Sequence, residues 1–369
     1  MRDSLDLREQ LQWIGAGLKK KQWILGLVVL AIFVALVAYA QHKYPFHWQT
    51  FLEQFKQAKW GKIGIALASI YVAYVFRSLR WAMLLRHIKK VGPFSLLGTQ
   101  VIGFTAVALI GRIADPVRPY LVAKKTGLPL SNQIAVYIIE RLFDFGSMAL
   151  IFCSVILLAP AGALPHPEII RKAAYGGLAM TALGAFFLVT VRLAGGVVAS
   201  LLEGAFGMVS KGLGHAVGEK IRTFRAGLDT LRTPGDFSIT LGISLAMWGL
   251  ITMAYMEITT AFVASPQLAN LTLAKCMLLM ASSMAASGFQ LPVIGWFTQI
   301  GIVAAAISGF FGVAPEPATA CAATLLLVTF LGIIPVGLVW ARFEHVSLRK
   351  VAAESEHANE EIEPDEAAC

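Results

Sequence analysis

Apolar residues recur along the chain in blocks long enough to cross a bilayer, separated by short polar segments. The blocks lie at roughly 23–41, 63–82, 94–111, 134–158, 172–191, 237–263, 271–291 and 318–341, with a further run at 293–312. At about 1.5 Å per residue, some 20 residues span the hydrocarbon core. Composition agrees: 57% of the 369 residues are hydrophobic and 14% charged, against about a quarter charged in a soluble domain. The pattern predicts an all-α polytopic membrane protein with little room for a separate soluble domain. The first block follows Lys19, Lys20 and Lys21 but lacks a small-residue cleavage site and leads into the aromatic segment Tyr44–Trp48. It reads as a retained helix.

Lys and Arg placement decides which blocks cross, because cytoplasmic loops collect them. If every block spans, the basic loops around Arg118 and Arg222 and the segment after Arg342 fall outside. If 94–111 instead enters and leaves from the cytoplasm, and 271–312 forms a hairpin entering from outside, most of the 31 Lys and Arg residues lie inside. The expectation is therefore about six transmembrane helices plus two re-entrant hairpins in two inverted halves, with both termini cytoplasmic. Gly and Pro mark the two tips, Gly111–Pro119 and Gly288–Gly295. Such backbone survives at membrane depth only where protein or water covers it.

Residues 1–22 read as a basic cytoplasmic N-terminus and 23–343 as one transmembrane domain. Within it, 193–236 carries apolar residues at helical spacing (Val198, Leu202, Val209, Leu213, Val217, Ile221, Phe224, Leu228, Leu231) with Lys220, Arg222, Arg225 and Arg232 between them. This predicts one or two amphipathic helices lying apolar face down on the inner leaflet. Residues 344–369 hold eight acids against Arg349 and Lys350 and read as a disordered tail. The net charge of +9 is a topology signal before it is a nucleic-acid signal. Nucleic acid is not an expected partner.

Charge inside the apolar blocks supplies the candidate chemistry. Glu140, Arg141 and Asp144 share little more than one turn of the 134–158 block. Ionisable groups at that depth are tolerated only if paired, or facing protein or a wet cavity. Arg141 and Asp144 can pair along the helix, whereas Glu140 and Asp144 are like charges on one face. Glu140 therefore needs another cation, for which Arg112, Arg77 and Arg80 are available. At the first tip Arg112 and Arg118 flank Asp115 and can converge on a phosphate, or they can simply anchor a positive-inside loop. Arg77, Arg80 and Trp81 suit an interfacial anchor. Glu257 and Lys275 read as isolated groups that snorkel.

No phosphate-binding glycine loop, zinc-helix motif or nucleophile elbow occurs. The cysteines (Cys153, Cys276, Cys321, Cys369) form no C-x-x-C, and the seven histidines are scattered. Neither a metal, a cofactor nor a catalytic residue is expected.

The R-x-x-R-W at Arg77–Trp81, the G-R-x-x-acid-x-x-R tip at Gly111–Arg118 and the E-R-x-x-D helix at Glu140–Asp144 appear in the order and spacing of a known family. Over roughly 60–340 the chain resembles the lysylphosphatidylglycerol synthase transmembrane-region family, as a stand-alone member without the aminoacyl-transferase domain. That family includes the flippase-like membrane domain of the bacterial multiple peptide resistance factor. The resemblance implies a lipid-translocating fold of two inverted halves whose re-entrant helices meet at a central cavity. Its substrate-binding polar groups would be Arg112, Asp115, Arg118, Glu140, Arg141 and Asp144, with Arg77, Arg80 and Gln299 in support. Two departures stand out. Ala114-Asp115 replaces the usual glycine–glutamate, and Gln299 stands where the second tip usually carries a glutamate. Loss of that acid argues against a cationic aminoacyl lipid.

The expected function is a lipid translocase of the bacterial inner membrane. It would act on an anionic or zwitterionic phospholipid, or a polyprenyl phosphate. A membrane-embedded transferase (or an accessory subunit of one) and a structural partner in an envelope complex are the alternatives. A homo-oligomer or an envelope-synthesis enzyme would be compatible partners.

Overall fold

The computed structural model describes residues 46–111, 114–160, 162, 164–208, 210–228, 231, 233–288 and 294–344. The expected 23–41 helix, the N-terminal segment, Arg112, most of the second tip and the acidic tail lie outside the described residues. The chain divides into two compact units, Met1–Thr50 and Phe51–Cys369. The second unit holds the helical bundle. In chain order the helices are α1 (Trp48–Gln57), α2 (Trp60–Leu85), α3 (Pro93–Ile110), α4 (Val117–Thr126), α5 (Leu130–Leu158), α6 (Pro167–Gly207), α7 (Lys211–Leu228), α8 (Pro234–Ala261), α9 (Pro266–Ala269), α10 (Leu273–Ser287), α11 (Ile294–Phe311), α12 (Pro315–Leu326) and α13 (Ile333–Phe343). No strand occurs among the described residues. The protein is an all-α, multi-pass membrane protein: α2, α3, α5, α6, α8 and the continuous Pro315–Phe343 stretch are each long and apolar enough to cross a bilayer.

Helices α2 and α8 run antiparallel, tied at both ends. At one end Lys59 donates its backbone N–H to Ala261 O (3.0 Å), and the Lys62 ammonium lies 3.8 Å from Glu257. Glu257 is therefore not isolated. At the other end, Arg86 and His87 both bind Asp236. Asp236 also closes a capping box with Thr233, behind Pro234 at the first helical position. That sequence, Thr-Pro-x-Asp, starts α8 because proline's missing N–H has no partner there anyway, while the two side chains satisfy the next orphan donors.

Two further pairs of helices, α3 with α4 and α10 with α11, start from opposite ends of this pair. In the first, α3 leaves the Arg86 end and α4 returns to it. Ser78 Oγ donates to Pro93 O at the start of α3, and Lys89 Nζ donates to Thr126 O at the end of α4 (2.6 Å). Gly111 ends α3 at φ 95°, and Gly127 ends α4 in the left-handed region at φ 66°. Both conformations favour glycine. The hairpin helix α3 is the most deeply covered span, 61% buried against 17% for α6. In the second hairpin, α10 starts after the short connection that follows Ala261, and the Lys275 ammonium sits 5.9 Å over the Phe311 ring at the end of α11. The inner parts of the two hairpins touch where Trp296 Nε1 donates to Ala108 O (3.1 Å).

Small residues permit these approaches, as expected where dispersion rather than hydrophobicity drives helix association. A Cβ on Gly103 would strike Arg118, one on Gly98 would strike Trp340, and one on Gly337 would strike Thr105. The 318–341 block is not one regular helix. Pro335 cannot donate to the carbonyl one turn before it, and the turn preceding it widens to a π-turn at Leu327–Leu331. Next to it, the Gly332 carbonyl accepts from Tyr71 OH (2.8 Å).

The 193–236 segment differs from its expectation. Helix α6 runs through to Gly207 with a single break at Ala194 (φ −125°, ψ 29°), and α7 folds back along it. Gly214 and Gly218 press against Gly207 and Glu203, and Arg222 and His215 pair with Glu203 at 2.6 and 3.1 Å. Val198, Ile221 and Leu231 pack on the buried cluster around Trp81, Leu84 and Phe143. Val198, Ile221 and Leu231 face protein rather than lipid, because the Arg86-side ends of α2 and α5 supply a core for them.

Cysteine labelling and core overpacking both probe this architecture. Single cysteines at Lys90 and Lys124, in a cysteine-free chain, should react with an impermeant maleimide from one face and a cysteine at His166 from the other. Opposite-face labelling of 90 and 124 would show that α3 crosses. Gly337→Val should cost about 1–3 kcal/mol through overpacking against Thr105, and adding Thr105→Ala should restore part of the lost thermal stability in detergent.

Candidate functional site

Five helices meet at one place, α2, α4 and α5 with ionisable side chains and α3 and α8 with their partners. Arg77 and Arg80, three residues apart on α2, face the same way as Glu140 and Asp144, four apart on α5. Arg118 comes from α4 through the hairpin fold, held at its Cα and Cγ by the missing side chain of Gly103. Measured from the helix ends at the Arg86 side, Arg80 stands about 7 Å in and Glu140 about 15 Å in at the helical rise, well inside the apolar length of both spans.

Glu140 is completely buried. Its Oε1 lies 2.8 Å from Arg80 Nη2, and its Oε2 lies 2.8 Å from Arg118 Nη2. Asp144 Oδ1 receives Arg80 Nη1 at 2.7 Å and Trp248 Nε1 of α8 at 3.3 Å. Asp144 Oδ2 accepts from Arg77 Nη1 at 3.3 Å and forms an ion pair with Arg141 Nη2, 3.2 Å away. Arg80 thus bridges both carboxylates and also donates to Ser244 Oγ (2.9 Å). Arg118, likewise fully buried, donates to Gln100 Oε1 (2.8 Å). Its guanidinium carbon stands 4.2 Å from the Phe104 ring centroid and 5.5 Å from Tyr137. Arg77 shares Phe104 (4.7 Å), and Arg141 lies over Tyr137 (5.1 Å). Aromatic faces stabilise desolvated cations at such distances. Asp115, half-buried at the first tip, acts on Arg141 and Tyr137 through space.

Among the described residues, four guanidinium groups (Arg77, Arg80, Arg118, Arg141) therefore meet three carboxylates (Glu140, Asp144, Asp115), leaving one positive charge unmatched. Donors are also left over. Arg118 Nη1, Arg141 Nε, Arg80 Nε and Gln100 Nε2 are buried without a hydrogen-bond partner. A buried unpaired donor costs about 1–3 kcal/mol, more when charged. The arrangement can accept an anion with several acceptor oxygens.

The structure brings together Asp115, Arg118, Glu140, Arg141 and Asp144, while Arg112 lies outside the described residues. Glu140 does need further cations, and it finds Arg118 as well as Arg80. Arg80 and Trp81 are not interfacial anchors. Both are completely buried, and Trp81 Nε1 donates to Gln133 Oε1 (3.0 Å). Gln299 belongs to the other hairpin, where its Nε2 lies 3.4 Å from Ser283 Oγ, which also receives Tyr255 OH (2.9 Å). Gln100, Phe104, Tyr137, Ser244 and Trp248 were not legible as site residues. Each is an ordinary span residue whose role appears only when another helix delivers a charge to it.

The family model for the lysylphosphatidylglycerol synthase TM region matches residues 23–337. No curated protein matches the chain, and no solved structure matches it.

Glu140→Gln leaves Arg80 and Arg118 buried against a neutral side chain. Removing one partner of a buried pair costs about 3–5 kcal/mol, so the variant should unfold at clearly lower temperature in detergent than Asp115→Asn, whose partner groups are less buried. Equal unfolding temperatures would show that the pairing contributes nothing to stability.

Proposed function

The chain belongs to the lysylphosphatidylglycerol synthase TM region family, and on that premise we propose that it moves a phosphate-bearing lipid between the two leaflets of the membrane it spans. The observation that carries this reading is the buried guanidinium cluster, with one unmatched positive charge and several unpaired donors deep within the apolar spans. A phosphate monoanion supplies the missing charge and acceptor oxygens in the fork geometry that arginine prefers. The two hairpins are taken as re-entrant, α3–α4 from the cytoplasmic face and α10–α11 from the outer face of a bacterial inner membrane. In that setting the cluster sits below the inner surface, where a headgroup passes on its way across. The substrate on this reading is an anionic or zwitterionic phospholipid or a polyprenyl phosphate.

A transferase using Glu140 or Asp144 as a base is less well supported. Each carboxylate is committed to at least two guanidinium groups, so neither has an oxygen free to take a proton from a substrate. A purely structural role would call for a network with its donors satisfied, whereas this one leaves arginine nitrogens unpaired.

Arg141→Gln is the informative variant. Arg141 is a quarter exposed and supplements Arg80 and Arg77 at Asp144, so its loss leaves three cations against three acids and spares the fold. In liposomes with fluorescent phosphatidylglycerol and dithionite quenching, the wild type should expose inner-leaflet lipid. Arg141→Gln should slow that exposure by roughly tenfold or more, the equivalent of one charged hydrogen bond, at unchanged thermal stability. Wild-type protein that exposes no phosphate-bearing lipid above empty liposomes would sink the proposal.

A further inference from the structure

Helix α6 is too long for the membrane it crosses. Its 41 residues rise about 60 Å, against a hydrocarbon core of about 30 Å. Even a tilt of about 40° leaves roughly 46 Å to accommodate. Its outward face stays apolar to the end. Phe186, Val189, Leu193, Val197, Leu201 and Met208 follow one another at helical spacing, and all are exposed. The stretch from Ile169 to Leu193 alone takes up about 36 Å at the helical rise. Val197, Leu201 and Met208, exposed to 62%, 67% and 84%, therefore come after the core has been used up. Ala194, where the backbone leaves helical geometry, stands between the two parts.

Beyond Ala194 the chain forms a two-helix arm whose faces differ. Gly195 and Ala199 are buried, and Val198 packs on the cluster around Trp81. Glu203 and Gly207 turn toward α7, where Gly214 and Gly218 press on them. The face of α6 left over is the apolar stripe. The exposed side of α7 carries Lys211, His215, Glu219 and Arg222 at helical spacing instead. The arm is thus amphipathic as a pair, with carbon on one helix and charge on the other. Helix α7 holds Lys211, Lys220, Arg222 and Arg225 against Glu219 alone.

We propose that the α6–α7 arm turns at Ala194 and lies along the membrane surface on the Arg86 side. Val197, Leu201 and Met208 then sit at the boundary between headgroups and acyl chains, and the bases of α7 lie among anionic headgroups. The partner is a negatively charged lipid surface. Two observations select it over a protein. The stripe continues, without interruption, the side of α6 that faces hydrocarbon within the span. The excess charge of α7 has the sign that anionic headgroups attract, worth about fivefold in affinity per base near the surface. None of the three positions is among those that face protein. The inference is independent of what the guanidinium cluster carries.

The test uses the full chain in nanodiscs of phosphatidylcholine, alone or mixed equally with phosphatidylglycerol. Bimane on single cysteines at Leu201, Met208 and Glu219, in an otherwise cysteine-free chain, reports its surroundings through two quenchers. One is a nitroxide on the upper acyl chain, the other a neutral nitroxide in water. Probes at 201 and 208 should be quenched from the lipid and the probe at 219 from the water. With the probe at 208, Lys211→Gln should lower the ratio of lipid to water quenching about fivefold in the phosphatidylglycerol nanodiscs. It should leave that ratio unchanged in phosphatidylcholine alone. Water quenching at 201 and 208 would put the stripe in solvent, and protection from both quenchers would put a second copy of the chain over it. Either overturns the proposal. An effect of Lys211→Gln that is absent, or equal in the two nanodiscs, would overturn the anionic partner.

Discussion

The buried carboxylate of Glu140 is the constraint around which the first half of the protein is arranged. A charge in that position is intolerable alone, so α2 must present Arg80 and α4 must present Arg118 within hydrogen-bond reach. Each demand fixes more than a side chain. Arg118 can reach only if α4 folds back along α3, and α4 can lie that close only because Gly103 has no side chain. Arg80, having bridged Glu140 and Asp144, needs Ser244 of α8, and Asp144 needs Trp248. One acid thus sets the register of α2, α3, α4, α5 and α8. Buried ion pairs are weak stabilisers compared with well-packed carbon, so a network this extensive is better understood as specifying geometry than as strengthening the fold.

The second half is built differently. Its hairpin carries Ser283 and Gln299 in place of charges, satisfied by Tyr255 and by each other. The electrostatic asymmetry between the hairpins gives the interior one polar pole close to the Arg86 end and a neutral region beyond it. A phosphate would find its strongest partners before it had crossed half the protein.

Much of this was legible in the chain. Long apolar blocks give the helices. Three ionisable residues in the 134–158 block located the cluster. What was not legible has a common cause. Arg80 and Trp81 look like interfacial residues because they stand near a helix end; only the α6–α7 hairpin, packed beneath them through Val198 and Ile221, turns that end into an interior. Arg118 looks like one more positive-inside charge until α4 is folded against α3. A π-turn at Leu327–Leu331 leaves no periodic signature, although Pro335 marks the place. Local pattern fixes elements, but burial of a charge is decided by whichever distant helix arrives to cover it.

The antiparallel pair α2–α8 is latched at its two ends, by Lys62 with Glu257 and Ala261 with Lys59 on one side, and by Arg86 and His87 with Asp236 on the other. Two rods fastened at both ends can neither slide nor splay without releasing a latch. They make a stator. The outer helix α6, broken at Ala194 and scarcely buried, is held to the rest far less closely. A protein that rearranged there would change shape at its lipid-facing flank while its central post stayed still.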